Sequence, residues 1–139
     1  MENAENLLER IERIAENDGR YRREAYLFIY AALDYTVHQM GRQGAADKSR
    51  HITGQELAGG IRTYAREQFG PMTQDVLQHW GLNETLDFGK IVYNLIEAGM
   101  MSKTDDDRVE DFQNVYTFAE AFDPREILRS PKGLDLERL

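Results

Sequence analysis

The feature that most limits what this chain can become is an uninterrupted apolar run, Ala25 to Leu33, set between Arg22-Arg23-Glu24 and Asp34. Nine residues are less than half of the roughly 20 that a membrane-spanning helix needs. The run must therefore be buried by the rest of the chain. Extended to both sides, it predicts a helix from near Arg20 to about Met40. Tyr26, Ile29, Tyr30, Leu33, Val37 and Met40 would lie on one face, with Ala25, Phe28, Ala32 and Tyr35 filling most of the remainder. A helix apolar nearly all round belongs at the centre of a fold.

The other segments are then read as its cover. A chain of 139 residues builds one core rather than two, and 41% hydrophobic with 30% charged residues is the balance of a folded domain. Leu7, Leu8, Ile11, Ile14 and Ala15 recur at helical spacing among acidic and basic residues, a one-sided surface helix ended by Asn17-Asp18-Gly19. Residues 41–50, with two glycines and no periodicity, read as a loop. Thr53-Gly54-Gln55-Glu56 fits a capping box, in which the threonine oxygen and the glutamate carboxylate satisfy each other's backbone amides. The helix it opens runs to Phe69, where Gly70-Pro71 ends it. Gly59-Gly60 inside it costs about 1 kcal/mol per glycine, which close packing on the central helix would offset.

Met72 to Trp80 reads as a short helix stopped by Gly81, and Asn83 caps the next, with Phe88, Ile91, Val92, Leu95 and Ile96 as its buried stripe. Two helices joined by a short glycine turn make a helix-turn-helix. Residues 100–103 and the period-2 segment Val115-Tyr116-Thr117-Phe118 then predict an antiparallel β-hairpin with a polar tip. The expected fold is mainly α, about five helices with a C-terminal β-hairpin, winged-helix-like. Residues 1–122 form the domain and 123–139 a C-terminal arm or tail.

Chemistry by motif is sparse. The chain has no cysteine, which removes disulfides, thiolate metal sites and cysteine nucleophiles and suits a reducing compartment. The first residues, MENAENLLERIER, have neither the basic nor the apolar region of a secretory leader, so a cytoplasmic location is expected. His38, His51 and His79 never stand at the i, i+3 or i+4 spacing of a helical metal site. Asp105-Asp106-Asp107 with Glu110 and Asp111 lacks the glycine of a calcium loop and reads as a solvated tip. No serine elbow or phosphate-binding glycine loop is present. The expectation is a non-enzymatic chain with no cofactor, metal or catalytic residue.

Charge carries more information. The formal net charge is −8, made of −4 over residues 1–19, +4 over 20–66, −2 over 67–83, −5 over 84–111 and −1 over 112–139. In a winged helix the outward face of the second helix reads DNA. Here that face would present Asp87, Lys90, Tyr93 or Asn94, and Glu97, followed by the acidic tip. Phosphates would be repelled, so specific duplex DNA binding is disfavoured. A protein partner or self-association is expected instead, through Arg20, Arg22, Arg23, Arg62 and Arg66 on one side and Asp105, Asp106 and Asp107 on the other. His79 and Trp80 at a helix end are a further possible contact. The leading reading is a protein-interaction or oligomerisation module. A nucleic-acid-binding regulator using the arginine face is the alternative, and a small-ligand binder lined by some of the seven tyrosines is the third.

Several stretches also form a recognisable text. RYRREAYLFIYAALDYT at 20–36, HITGQEL at 51–57, QFGPM at 68–72, DFGKIVYNLIEAGMMSKT at 87–104 and EDFQNVYTFAEAF at 110–122 resemble a small bacterial family of proteins of unknown function, winged-helix-like. The resemblance implies a stand-alone bacterial protein of this length. It brings no activity, cofactor or site residue.

Overall fold

The computed structural model describes residues 4–42 and 51–129. Its helices are α1 (Ala4–Asp18), α2 (Arg23–Gln39), α3 (Gly54–Phe69), α4 (Thr73–His79) and α5 (Thr85–Glu97), followed by the short α6 (Phe118–Ala121) and α7 (Pro124–Arg129). Two 3₁₀ turns, Gly70–Met72 and Val109–Phe112, complete the regular structure. The chain is mainly helical, as its periodicity predicts, and none of these helices is long and apolar enough to cross a membrane.

α2 holds the centre. It packs along α3, with α1 and α5 also against it, and Ala25, Tyr26, Phe28, Ile29, Ala32 and Thr36 are buried. The crossing with α3 is close because Gly60 lacks a side chain: a Cβ there would stand 1.8 Å from Thr36 Oγ1 and 2.8 Å from Thr36 Cβ. Gly59, beside it, faces open space. The capping box forms as expected. Thr53 Oγ1 accepts from the Glu56 amide at 3.1 Å, and Glu56 Oε1 accepts from the Thr53 amide at 2.9 Å.

A polar network ties α1, α2 and α5 at one corner. Tyr21 donates its hydroxyl to Asp87 Oδ1 at 2.5 Å, and Asp87 Oδ2 accepts the amides of Asn83 at 2.9 Å and Glu84 at 3.2 Å. Burial first, then its bond to Asp87, pushes the Tyr21 phenol up. Asn94 donates to Asp18 Oδ2 at 2.8 Å and to the Tyr26 hydroxyl oxygen at 2.9 Å. Gly81, at φ +95°, lets the chain pass where a Cβ would meet the Arg20 carbonyl at 2.5 Å.

The expected β-hairpin is not there: residues 100–103 and 115–118 form no strand, and no strand occurs among the described residues. The 109–112 turn instead buries Phe112 between helices α3 and α5. Cβ atoms added at Gly54 and Gly89 would stand 3.1 Å and 2.7 Å from the Phe112 ring. Thr85 locks the segment by donating to the Phe112 carbonyl at 2.5 Å and accepting from the Val115 amide at 3.2 Å. Phe118 then begins a helix rather than ending a strand. Phe118, Ala121 and Phe122 are spaced i, i+3, i+4, and this period prevails because the Phe118 ring stacks on Phe88 at 5.5 Å and meets Phe122 at 5.3 Å. The succession expected of a winged helix thus lacks its wing.

Beyond residue 122, α7 packs against the Gly70–Met72 turn and buries Ile127. The rest of the expected arm, 130–139, and most of the expected loop, 43–50, lie outside the described residues.

Candidate functional site

Between α2, α5 and the start of α3 lies a groove of about 1010 Å³. Tyr30, Leu33 and Val37 from α2 form one wall, and Val92, Tyr93 and Ile96 from α5 form the opposite one. Ile52 and Leu57 lie at the α3 side, with Met100 and Met101 along the segment that leaves α5. Only part of this surface is sealed. Ile52, Leu57 and Val92 are buried, whereas Leu33, Val37, Ile96, Met100 and Met101 are half-buried. Tyr30 and Met40, expected in the buried stripe of α2, are 36% and 39% exposed.

The reason lies in α2 itself. Its apolar arc is more than α1, α3 and α5 cover: Ala25, Tyr26, Ile29 and Ala32 are completely buried. Tyr30, Leu33 and Val37, which continue the Tyr26 row toward the C-terminal end of the helix, look into the groove.

Polar groups stand at one end. His51 Nε2 lies 2.8 Å from Asp107 Oδ2, and Asp107 Oδ2 also accepts the Thr104 amide at 2.8 Å. Burial raises the Asp107 carboxyl, but the Thr104 amide and the His51 ring outweigh it and hold it below its ordinary value. Arg42 braces the same end, donating to the His51 carbonyl at 2.9 Å and to Glu56 at 3.0 Å. The Tyr93 hydroxyl is buried and meets no hydrogen-bond partner. Its pKa is raised by burial first, then by Asp107, Asp111 and Glu110.

The residues singled out from the sequence are dispersed. Arg20 pairs bidentately with Asp18, both contacts at 2.7 Å, and that guanidinium holds the Asp18 carboxyl well below the carboxylate range. Arg23 reaches Glu12 at 2.6 Å, and Arg22 lies 3.6 Å from Glu24. Arg62 stands over the Tyr116 ring, 5.7 Å from its centroid, and Arg66 is half-buried on α3. The arginines are thus shared among different partners. His79 is exposed, while Trp80 is half-buried against Phe28 at 5.6 Å and Phe69 at 5.5 Å. Asp105 and Asp106 are exposed; only Asp107 of the three is drawn into the groove wall.

The outward reading face expected on α5 is also corrected. Asp87 is buried at the α2 corner, Tyr93 lines the groove, and Asn94 is held by Asp18 and Tyr26. His51, which the sequence marks only as lacking a metal-site partner at helical spacing, is the site residue that sequence reasoning missed. Its signal was the acidic triplet more than 50 positions away, which only folding brings beside it.

Among the described residues, no group of three or more histidines and carboxylates stands close enough to hold a metal ion. Comparison with protein-family models, curated proteins and solved structures found no match to the chain.

Proposed function

We propose that this chain is a protein-interaction module that receives a helical segment of a partner protein in the groove between α2 and α5. The observation that carries the reading is the Tyr30, Leu33 and Val37 row of α2, left half-exposed opposite Tyr93 and Ile96. Apolar side chains gathered along a concave wall and rimmed by polar ones are the form of a helix-receiving groove.

The form of the groove narrows the occupant. Addition of a strand needs an open sheet edge, and no strand exists among the described residues. Two turns of a helix of about 10 Å diameter fill roughly 850 Å³, comparable with the groove's 1010 Å³. Aliphatic walls with methionines at the rim suit an amphipathic helix, since flexible thioethers adapt to the ridges they meet. The arginine face has no comparable support, because Arg20 and Arg23 are already paired with α1 carboxylates.

Photocrosslinking in the native cell tests this. A benzophenone side chain replacing Ser102, on the groove rim, should give discrete adducts with another protein. The same probe at Glu120, exposed and outside the groove, should not, and Leu33→Asp should abolish the Ser102 adducts. Equal labelling from both positions, or adducts indifferent to Leu33→Asp, would overturn the reading.

A further inference from the structure

Resting on the groove reading above, the geometry points to a basic amphipathic helix as the occupant, one that places an arginine or lysine against the acidic 104–111 segment. Residues 104–111 hold five carboxylates and one arginine. Asp107 and Asp111 line the groove itself. Asp107 is engaged by His51 and by the Thr104 amide, and Asp111 accepts the Arg108 amide at 3.0 Å. Asp105, Asp106 and Glu110 are exposed and enter no ion pair among the described residues. Lys103 and Arg108 lie on the same wall but do not balance it. Two cations face five carboxylates over 103–111, and Lys103 turns its ammonium toward its neighbour's carbonyl, Thr104 O, at 3.4 Å.

Tyr93, on the groove wall, shows that these charges reach the groove: Asp107, Asp111 and Glu110 all act on it electrostatically. The field at this end of the groove therefore favours a cation over an anion. A guanidinium on the polar edge of a docked helix would answer the exposed carboxylates, while its apolar edge meets Leu33, Val37 and Ile96.

The test compares two fluorescent synthetic helical peptides with one shared leucine face, differing only in an arginine or a glutamate polar face, on the full chain. The arginine peptide should bind about tenfold tighter or better at low salt, the gap closing near 1 M salt, where the screening length is about 3 Å. Leu33→Asp should abolish its binding; the uncharged Met101→Asn, at the half-exposed rim, should weaken it several-fold should Leu33→Asp unfold the protein. Equal affinity for the two peptides would overturn the charge assignment and leave the groove reading to the crosslinking result. Binding of the arginine peptide that survives both groove substitutions, or that spermidine displaces at matched charge, would overturn it as adsorption to surface carboxylates. Absence of binding by either peptide would overturn it too.

Discussion

Two adjacent glycines separate local cost from tertiary need. Gly59 and Gly60 both weaken α3 by helix propensity, yet only Gly60 faces Thr36, whose Oγ1 and Cβ leave no room for a methyl group. Gly60→Ala is expected to destabilise the fold by about 1–3 kcal/mol, because the α2–α3 crossing must open to admit it. Gly59→Ala meets nothing within 4 Å and should stabilise by about 0.5–1 kcal/mol, through helix propensity and a less flexible unfolded chain. Urea unfolding of the two variants checks the pair; equal shifts would mean that the helices do not cross so closely. The expectation of tight packing at this dipeptide was available from the sequence, but not which glycine provides it. That depends on the rotation of α3 about its axis, which is set by contacts outside the segment.

At the scale of elements, the stretch after α5 decides the shape of the groove. Met100 to Phe118 contains both a period-2 run and the start of a 3.6-period run, and local pattern alone does not rank them. The structure ranks them through Phe112, 3% exposed and seated against Gly54 and Gly89, and through Thr85, which bonds to the chain on both sides of it. Phe112→Ala should cost about 3–5 kcal/mol. It should also release the 109–115 segment from α5, so hydrogen exchange at the Val115 amide, which donates to Thr85, is expected to accelerate more than exchange in the middle of α2. Uniform acceleration would show the segment to be no separate unit.

Across the whole molecule, charge is arranged differently from the simple match of a basic middle to an acidic later segment. Among the described residues no ion pair joins Arg62 or Arg66 to an acidic residue of 84–111; those regions meet through Tyr21 with Asp87, Tyr26 with Asn94 and His51 with Asp107. The first arginines are answered instead by α1, whose Glu12 and Asp18 the turn after α1 brings beside Arg23 and Arg20. The 104–111 carboxylates are thereby left facing solvent and the groove. Duplex DNA should accordingly bind no tighter than non-specific levels, about 10⁻⁴ to 10⁻⁶ M at physiological salt. Fluorescence anisotropy reporting a sequence-dependent affinity near 10⁻⁸ M would return the arginine face to first place.

The sequence by itself determined the helices with strong signals: the apolar centre of α2, the Thr53 capping box, the stripe of α5 and the glycine stops between α1, α4 and their successors. These depend on neighbours three or four residues apart, whose interactions any helical segment carries with it. It also determined the charge of each segment and the absence of thiol chemistry. Only the tertiary structure decided which part of the apolar arc of α2 is sealed, that Asp87 turns inward to Tyr21, that residues 109–112 fold back onto Gly54 and Gly89, and that His51 meets Asp107. Each of these pairings spans a long loop, and the residues involved could be satisfied as well by solvent or by another neighbour. Their choice is made by how much apolar area the other helices can cover at once, and the part of α2 they leave uncovered forms a wall of the groove.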